Sequence, residues 1–277
     1  MSIVQTLVLF ILLFSNSDSS HFRGGTISWA PVDPYASTSS VQVQVSMRFF
    51  WYLYYSSFIG KCDSAAAVAA GTLYGDTALL NSMNGPVWSL STLANCYGYN
   101  TANEWSAAKR NQTVSVITST SVSAKFTSCC WISGVSNVQN TNTWSMIVTM
   151  NLAKRADTGK INSSPITSMA PFAIISANCT NNRSISIPVS DPDNDVVRCR
   201  CNNNICLPFA SIDRANCILY FNPTVTGYYS VEIQIEDFAS SSSTVALSSV
   251  PLVFLVNVTN AVNRCYICSD GSNSCCN

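Results

Sequence analysis

Between Ile185 and Phe238 the chain twice alternates apolar and polar residues at the period of a β-strand, and an acidic turn interrupts the pattern. Ile185, Ile187 and Val189 alternate with Ser184, Ser186 and Ser190, and Val231, Ile233 and Ile235 alternate with Glu232, Gln234 and Glu236. A period of two places each set on one face of a strand, giving one buried and one wet face. Asp191-Pro192-Asp193-Asn194-Asp195 ends the first strand, because proline fixes φ and Asp and Asn side chains hydrogen-bond their own backbone in turns. Asn222-Pro223 and Gly227 mark a second turn, and the last strand closes at Asp237. Strand, acidic turn, Cys-rich crossing, turn and closing strand predict an antiparallel β-sandwich repeat.

These pieces resemble the cadherin-like repeats of the dystroglycan type. The residues that carry the resemblance are Asp191-Pro192-Asp193, Leu219-Tyr220-Phe221-Asn222-Pro223-Thr224, Gly227-Tyr228-Tyr229 and Ile233-Gln234-Ile235-Glu236-Asp237, over residues 170–258. The cysteines Cys179, Cys199, Cys201, Cys206 and Cys217 depart from that pattern. At the other end, HFRGGTISWAPVDP from His21 resembles the start of secreted animal proteins that join such a module to a cadherin-like repeat. That likeness implies an architecture and no activity. In the tail, CYICSDGSNSCCN resembles the first loop of a three-finger Ly6-type module, or matches it by accident.

Only 10% of the 277 residues are charged and the formal net charge is +0, where about a quarter is usual for soluble domains. A neutral chain argues against a nucleic-acid partner and against an electrostatic anchor on a membrane surface. Polarity comes instead from Ser, Thr and Asn, which suits a glycosylated extracellular surface. The thirteen cysteines are Cys62, Cys96, Cys129, Cys130, Cys179, Cys199, Cys201, Cys206, Cys217, Cys265, Cys268, Cys275 and Cys276. No paired CxxC…CxxC constellation with histidines occurs, and His21 is the only histidine, so a disulfide framework in an oxidising compartment is expected over a metal site. Each bridge stabilises by about 2–4 kcal/mol. The adjacent pairs Cys129-Cys130 and Cys275-Cys276 are expected to take distant partners, since a ring between neighbours is strained. Cys62 and Cys96 suit each other or that first pair. The odd count leaves one thiol unpaired, shared between chains, or awaiting a partner further on.

In chain order, IVQTLVLFILLF followed by Ser15–Ser20 reads as a signal peptide over residues 1–20. No later stretch supplies the roughly 20 apolar residues of a membrane span. Residues 21–157 are expected to form a β-rich domain. Its strands include Val41, Val43, Val45, Met47, Phe49 and Trp51, entering the core from an edge, and Trp144, Met146, Val148, Met150 and Leu152. A helical turn is expected at Ala65–Ala70. Residues 158–171 lack periodicity and read as a linker, residues 172–260 as the cadherin-like domain, and residues 261–277 as a Cys-rich tail. The expected fold is all-β, with two β-sandwich-like domains.

Asp191, Asp193 and Asp195 sit at alternate positions, and Asp237 closes the last strand. Calcium takes six to eight oxygens from flexible carboxylate loops, so these four residues form the candidate metal site, set against a plain solvated turn. The cadherin-like resemblance implies the calcium use. Sequons at Asn111, Asn162, Asn178, Asn182 and Asn257 are the candidate glycosylation sites. Copper-histidine chemistry needs a second imidazole and is removed, and His21 is left as the only imidazole base that a Ser-His-Asp or Cys-His pair could use. The aromatic run Phe49-Phe50-Trp51-Tyr52 with Tyr54-Tyr55 suits a strand core better than a sugar platform. The expected function is a non-enzymatic, secreted recognition or adhesion module for a protein or glycan ligand. The alternatives are a disulfide-linked matrix or coat component and an extracellular carbohydrate-active enzyme.

Overall fold

The computed structural model describes residues 21–56, 58–117, 121–138, 143–177, 183–202 and 207–260. They form a nearly all-β chain. In order come β1 (Phe22–Pro31), β2 (Ser40–Tyr52), the short helix α1 (Ala65–Ala70), β3 (Leu73–Tyr74), β4 (Leu79–Ser82), β5 (Ser89–Ser91), β6 (Ala94–Asn100), β7 (Trp105–Ile117), β8 (Ser121–Cys129) and β9 (Thr143–Asn151). The second half adds β10 (Ile166–Thr167), β11 (Phe172–Ser176), β12 (Arg183–Ser186), β13 (Val189–Ser190), β14 (Val196–Cys201), β15 (Ala210–Asp213), β16 (Ile218–Phe221), β17 (Gly227–Phe238) and β18 (Ser248–Thr259).

One 13-stranded sheet runs β3-β6-β7-β2-β1-β18-β9-β8-β4-β5, with β17 and β11 also on β18 and β14 beyond β17. β18 is the shared member. One edge pairs with β17 along its length, from Ser248↔Asp237 to Val258↔Gly227. The other edge is divided: Ser248 and Ser249 face β9, Leu252 and Val253 face β1, and Leu255–Thr259 run parallel to β11. Pro251, which has no N–H to donate, sits where the partner changes from β9 to β1. Gly24 permits the close approach of β1: at φ +134°, a Cβ there would lie 2.2 Å from the Val253 carbonyl oxygen. The sheet therefore takes strands from both the 21–157 and the 172–260 segments.

The alternations read from sequence become buried faces. Val41, Val43, Val45, Met47, Phe49 and Trp51 are buried, as are Trp144, Met146, Val148, Met150 and Leu152. β2 lies between β1 and β7 over its length rather than entering from an edge. Phe22 stacks on Trp144 at 3.8 Å between ring centroids and meets Trp51 and Trp131, so four large rings close that end of the core. α1 starts on Ser64, whose hydroxyl accepts the Ala67 N–H, and stops on Gly71 in the left-handed region, a common helix terminator.

Three local expectations change. The strand expected from Ile185 to Val189 is two strands, β12 on β16 and β13 on β10, because Pro188 cannot donate to a ladder. The face of β17 expected to be wet is covered: Gln234 and Glu236 are buried. Cys129 pairs with its neighbour Cys130, not with a distant partner. Cys62 pairs with Cys96 and Cys199 with Cys217, and Cys201 is also disulfide-bonded. Cys179, Cys206, Cys265, Cys268, Cys275 and Cys276 lie outside the described residues. The docking of β1 on β18 gives a direct test. Gly24→Ala is expected to lose more than about 1 kcal/mol in denaturant unfolding, because it adds a Cβ at positive φ against a fixed carbonyl.

Candidate functional site

The acidic turn after β13 is organised by Asp191. Its Oδ1 accepts the N–H groups of Asp193 at 2.8 Å and Asp195 at 3.0 Å, while its carbonyl accepts that of Asn194 at 3.2 Å. Asn194 closes the turn at φ +62°, a conformation Asn tolerates better than most residues. The geometry brings Asp191, Asp193 and Asp195 together, with carboxylate oxygens all within 4.8 Å of one another. Each is half-buried.

Arg155 faces this turn. Its guanidinium grips both oxygens of Asp195, through Nη1 to Oδ2 and through Nη2 to Oδ1 at 2.7 Å. It also grips both oxygens of Asp157, at 3.0 and 2.8 Å, and donates to Asn162 Oδ1 at 3.0 Å. Asn162 passes the connection on: its Nδ2 donates to Asp237 Oδ2 at 2.6 Å. The other Asp237 oxygen accepts both the N–H and the hydroxyl of Ser248, each at 2.7 Å. Asp193 Oδ2 accepts the Ser163 N–H at 2.6 Å. Residues 155–163, the turn, the end of β17 and the start of β18 are thus tied at one pole.

Five carboxylates converge here, and among the described residues Arg155 is the cation in ion-pair contact with them. The charge imbalance shows in the acids. Burial pushes Asp237 up to about 6, and the neighbouring Asp191 charge adds to this against the hydrogen bonds from Asn162 and Ser248. Burial likewise raises Asp191, against its backbone hydrogen bonds. Asp191 Oδ2 is buried and has no hydrogen-bond partner. A hard, oxygen-seeking divalent cation is the group whose chemistry fits such a donor set.

The four expected acids therefore share one pole, whereas Glu236 points to the opposite face of β17 from Asp237. Arg155 and Asn162 were not legible as members. They lie 40 and 75 residues from their carboxylate partners, and no local pattern links them. Asn162 heads a sequon, but it is 1% exposed and its Nδ2 is held by Asp237 and the Ser163 carbonyl. A glycan on that nitrogen has no place in this fold. Asn111 is exposed on β7 and Asn257 is half-buried on β18; Asn178 and Asn182 lie outside the described residues. His21 is buried, stacked on Tyr55 at 4.2 Å and 3.8 Å from Asp76. Phe49, Phe50 and Trp51 are core residues, while Tyr54 is exposed.

Two outcomes follow from the clamp. Both side chains of the Arg155–Asp195 pair are largely out of solvent. Arg155→Ala is therefore expected to cost about 3 kcal/mol or more in denaturant unfolding. Arg155→Lys should restore only part of this, since an ammonium cannot fork onto two carboxylates at once. Asp237 binds its proton more tightly in the folded chain than at its ordinary value of 3.8. Its contribution is complete below about pH 4 and is lost as pH rises through about 6, a change of about 3 kcal/mol at most. Asp237→Asn should flatten that slope in calcium-free thermal melts across this range.

With the geometry in place, the chain can be set beside known proteins. Residues 23–153 match the family described as integrin beta-like protein A-E, N-terminal. Integrin beta-like protein A of Dictyostelium discoideum is 28% identical over 99% of this chain and 14% of its own length. Integrin beta-like protein C is 28% identical over 83% of the chain and 12% of its own length, and protein B 26% identical over 99% and 13%. The chain thus spans about a seventh or less of these relatives. The likeness reaches past the matched N-terminal region across the acidic turn. These three relatives are proteins of Dictyostelium discoideum.

Proposed function

We propose that this chain is a non-enzymatic extracellular recognition or adhesion module, and that calcium is the cofactor of its acidic turn. The observation that supports the adhesion reading most is the likeness to integrin beta-like protein A over 99% of the chain. The Cys62–Cys96 and Cys199–Cys217 disulfides fit an oxidising, extracellular setting. Among the described residues no helix is long and apolar enough to cross a membrane.

The calcium reading draws on the surplus of carboxylates over Arg155 and on the unpartnered Asp191 oxygen. Asp195 is occupied by Arg155 and Asp237 by Asn162 and Ser248. Asp191 and Asp193 are therefore the residues that would hold the ion, with water completing its shell. Two carboxylates at a half-open site correspond to weak extracellular binding, on the order of 10⁻⁴–10⁻³ M. Bound calcium would offset the repulsion between the acids and stiffen the pole where the turn meets β17 and β18.

The test is calorimetric titration of the whole secreted chain with calcium, alongside thermal melts and a bead-aggregation assay. Saturable binding with a raised melting temperature is expected. Asp193→Asn should lose both, while its Oδ1 still accepts the Ser163 N–H. Absence of binding at several times the expected dissociation constant would refute the calcium reading. Beads that neither aggregate nor bind cells, with or without calcium, would refute adhesion.

A further inference from the structure

We propose that the cleft on the far side of β17 from the acidic turn is a binding site for a neutral, hydroxyl-rich ligand: a short glycan segment. This rests on the recognition reading and supplies it with a ligand class and a location. The floor is continuous across four strands, because Arg200 on β14 pairs with Gln234 on β17, Glu236 on β17 with Ser249 on β18, and Ser249 with Thr149 on β9. The cleft encloses about 480 Å³, within the roughly 300–1,000 Å³ usual for small-molecule sites.

The chemistry of the floor points to hydroxyl groups. Gln234 and Glu236 are mostly covered, and each turns a polar group that the protein does not pair towards the cleft. Gln234 Oε1 accepts the Ser249 hydroxyl at 2.8 Å, which leaves the amide N–H₂ without a partner. Glu236 Oε1 accepts Arg200 Nε at 2.9 Å, leaving Oε2 and the two Nη groups open. Asn202 donates to Glu232 at 2.9 Å and keeps its own carbonyl oxygen open. These are planar donors and acceptors at close spacing, the inventory that two neighbouring hydroxyls satisfy together. These atoms face the open cleft, where water pairs them, so a ligand binds by replacing that water with hydroxyls that reproduce its hydrogen bonds.

Charge and geometry narrow the class. Arg200 and Glu236 form an ion pair with each other, so the floor carries no surplus for an ionic ligand to neutralise. An extended peptide gains affinity by adding to a free strand edge, but β17 is paired on both sides by β14 and β18. Ile147 and Leu247 border the cleft and offer apolar contact to the C–H face of a sugar ring.

The experiment uses the whole secreted chain and a panel of neutral tri- to hexasaccharides of glucose, galactose, mannose and N-acetylglucosamine. Binding is read by ligand-observed NMR and calorimetry, with calcium and with chelator. Saturable binding to at least one series is expected. Glu236→Gln and Gln234→Met are each expected to weaken it by about tenfold or more, with the melting temperature recorded for each. Val87→Ser, at a fully exposed position between β4 and β5 and outside the cleft lining, should bind the glycan as the parent does. No saturable binding up to about 10 mM across the panel, binding unchanged in both well-folded variants, or a preference for peptides over glycans would each overturn the proposal. Glycan binding without bead adhesion counts against the adhesion reading alone, and adhesion without glycan binding counts against the cleft alone.

Discussion

The fold depends on one strand being wanted on both of its edges. β18 pairs with β17 along one side and with β9, β1 and β11 in succession along the other. Besides being paired on both edges, the strand is covered on both faces along its middle: Val250 to Val256 is continuously apolar and buried. That is the pattern of a strand covered on both sides rather than of a half-exposed one. The glycine at position 24 belongs to the same constraint, because only a residue without a Cβ lets β1 reach the Val253 carbonyl.

The polar pole is the electrostatic counterpart of this strand. Ser248, the first residue of β18, is held by Asp237 at the end of β17, and Asp237 is held through Asn162 by Arg155. Arg155 then grips the acidic turn. Desolvated carboxylates are expensive unless paired, and here hydrogen bonds and one guanidinium cover most but not all of the oxygens. The residue left short, Asp191, is also the one whose other oxygen builds the turn. The side chain that builds the turn is therefore also the one with an oxygen to spare. On the opposite face of β17 the same period-two alternation sends Gln234 and Glu236 into a separate cleft. One strand thus contributes to two chemically different surfaces.

Much of this was legible in the sequence because it was local. The alternation at Val41–Trp51, Trp144–Leu152 and Val231–Ile235 gave the buried faces, and the Asp-Pro-Asp-Asn-Asp run gave the turn. What escaped was set by partners distant in the chain. Nothing around Arg155 announces that it will meet Asp195, and Asn162 carries a sequon that its burial overrides. The polar residues of β17 looked wet because their covering partners, Arg200 and Ser249, come from other strands. Pro188 was visible, but its consequence, one strand split between two small sheets, required knowing that β16 and β10 belong to different sheets.

Hydrogen exchange followed by mass spectrometry on the intact chain tests the central claim, that β18 is common to both halves. The amides of β18 should exchange in the same cooperative unit as those of β1, β2 and β9 and as those of β17, with one opening free energy for all. If residues 21–157 opened in a separate step while β17 and β18 stayed fully protected, β18 would belong to the second half alone and the account would fail.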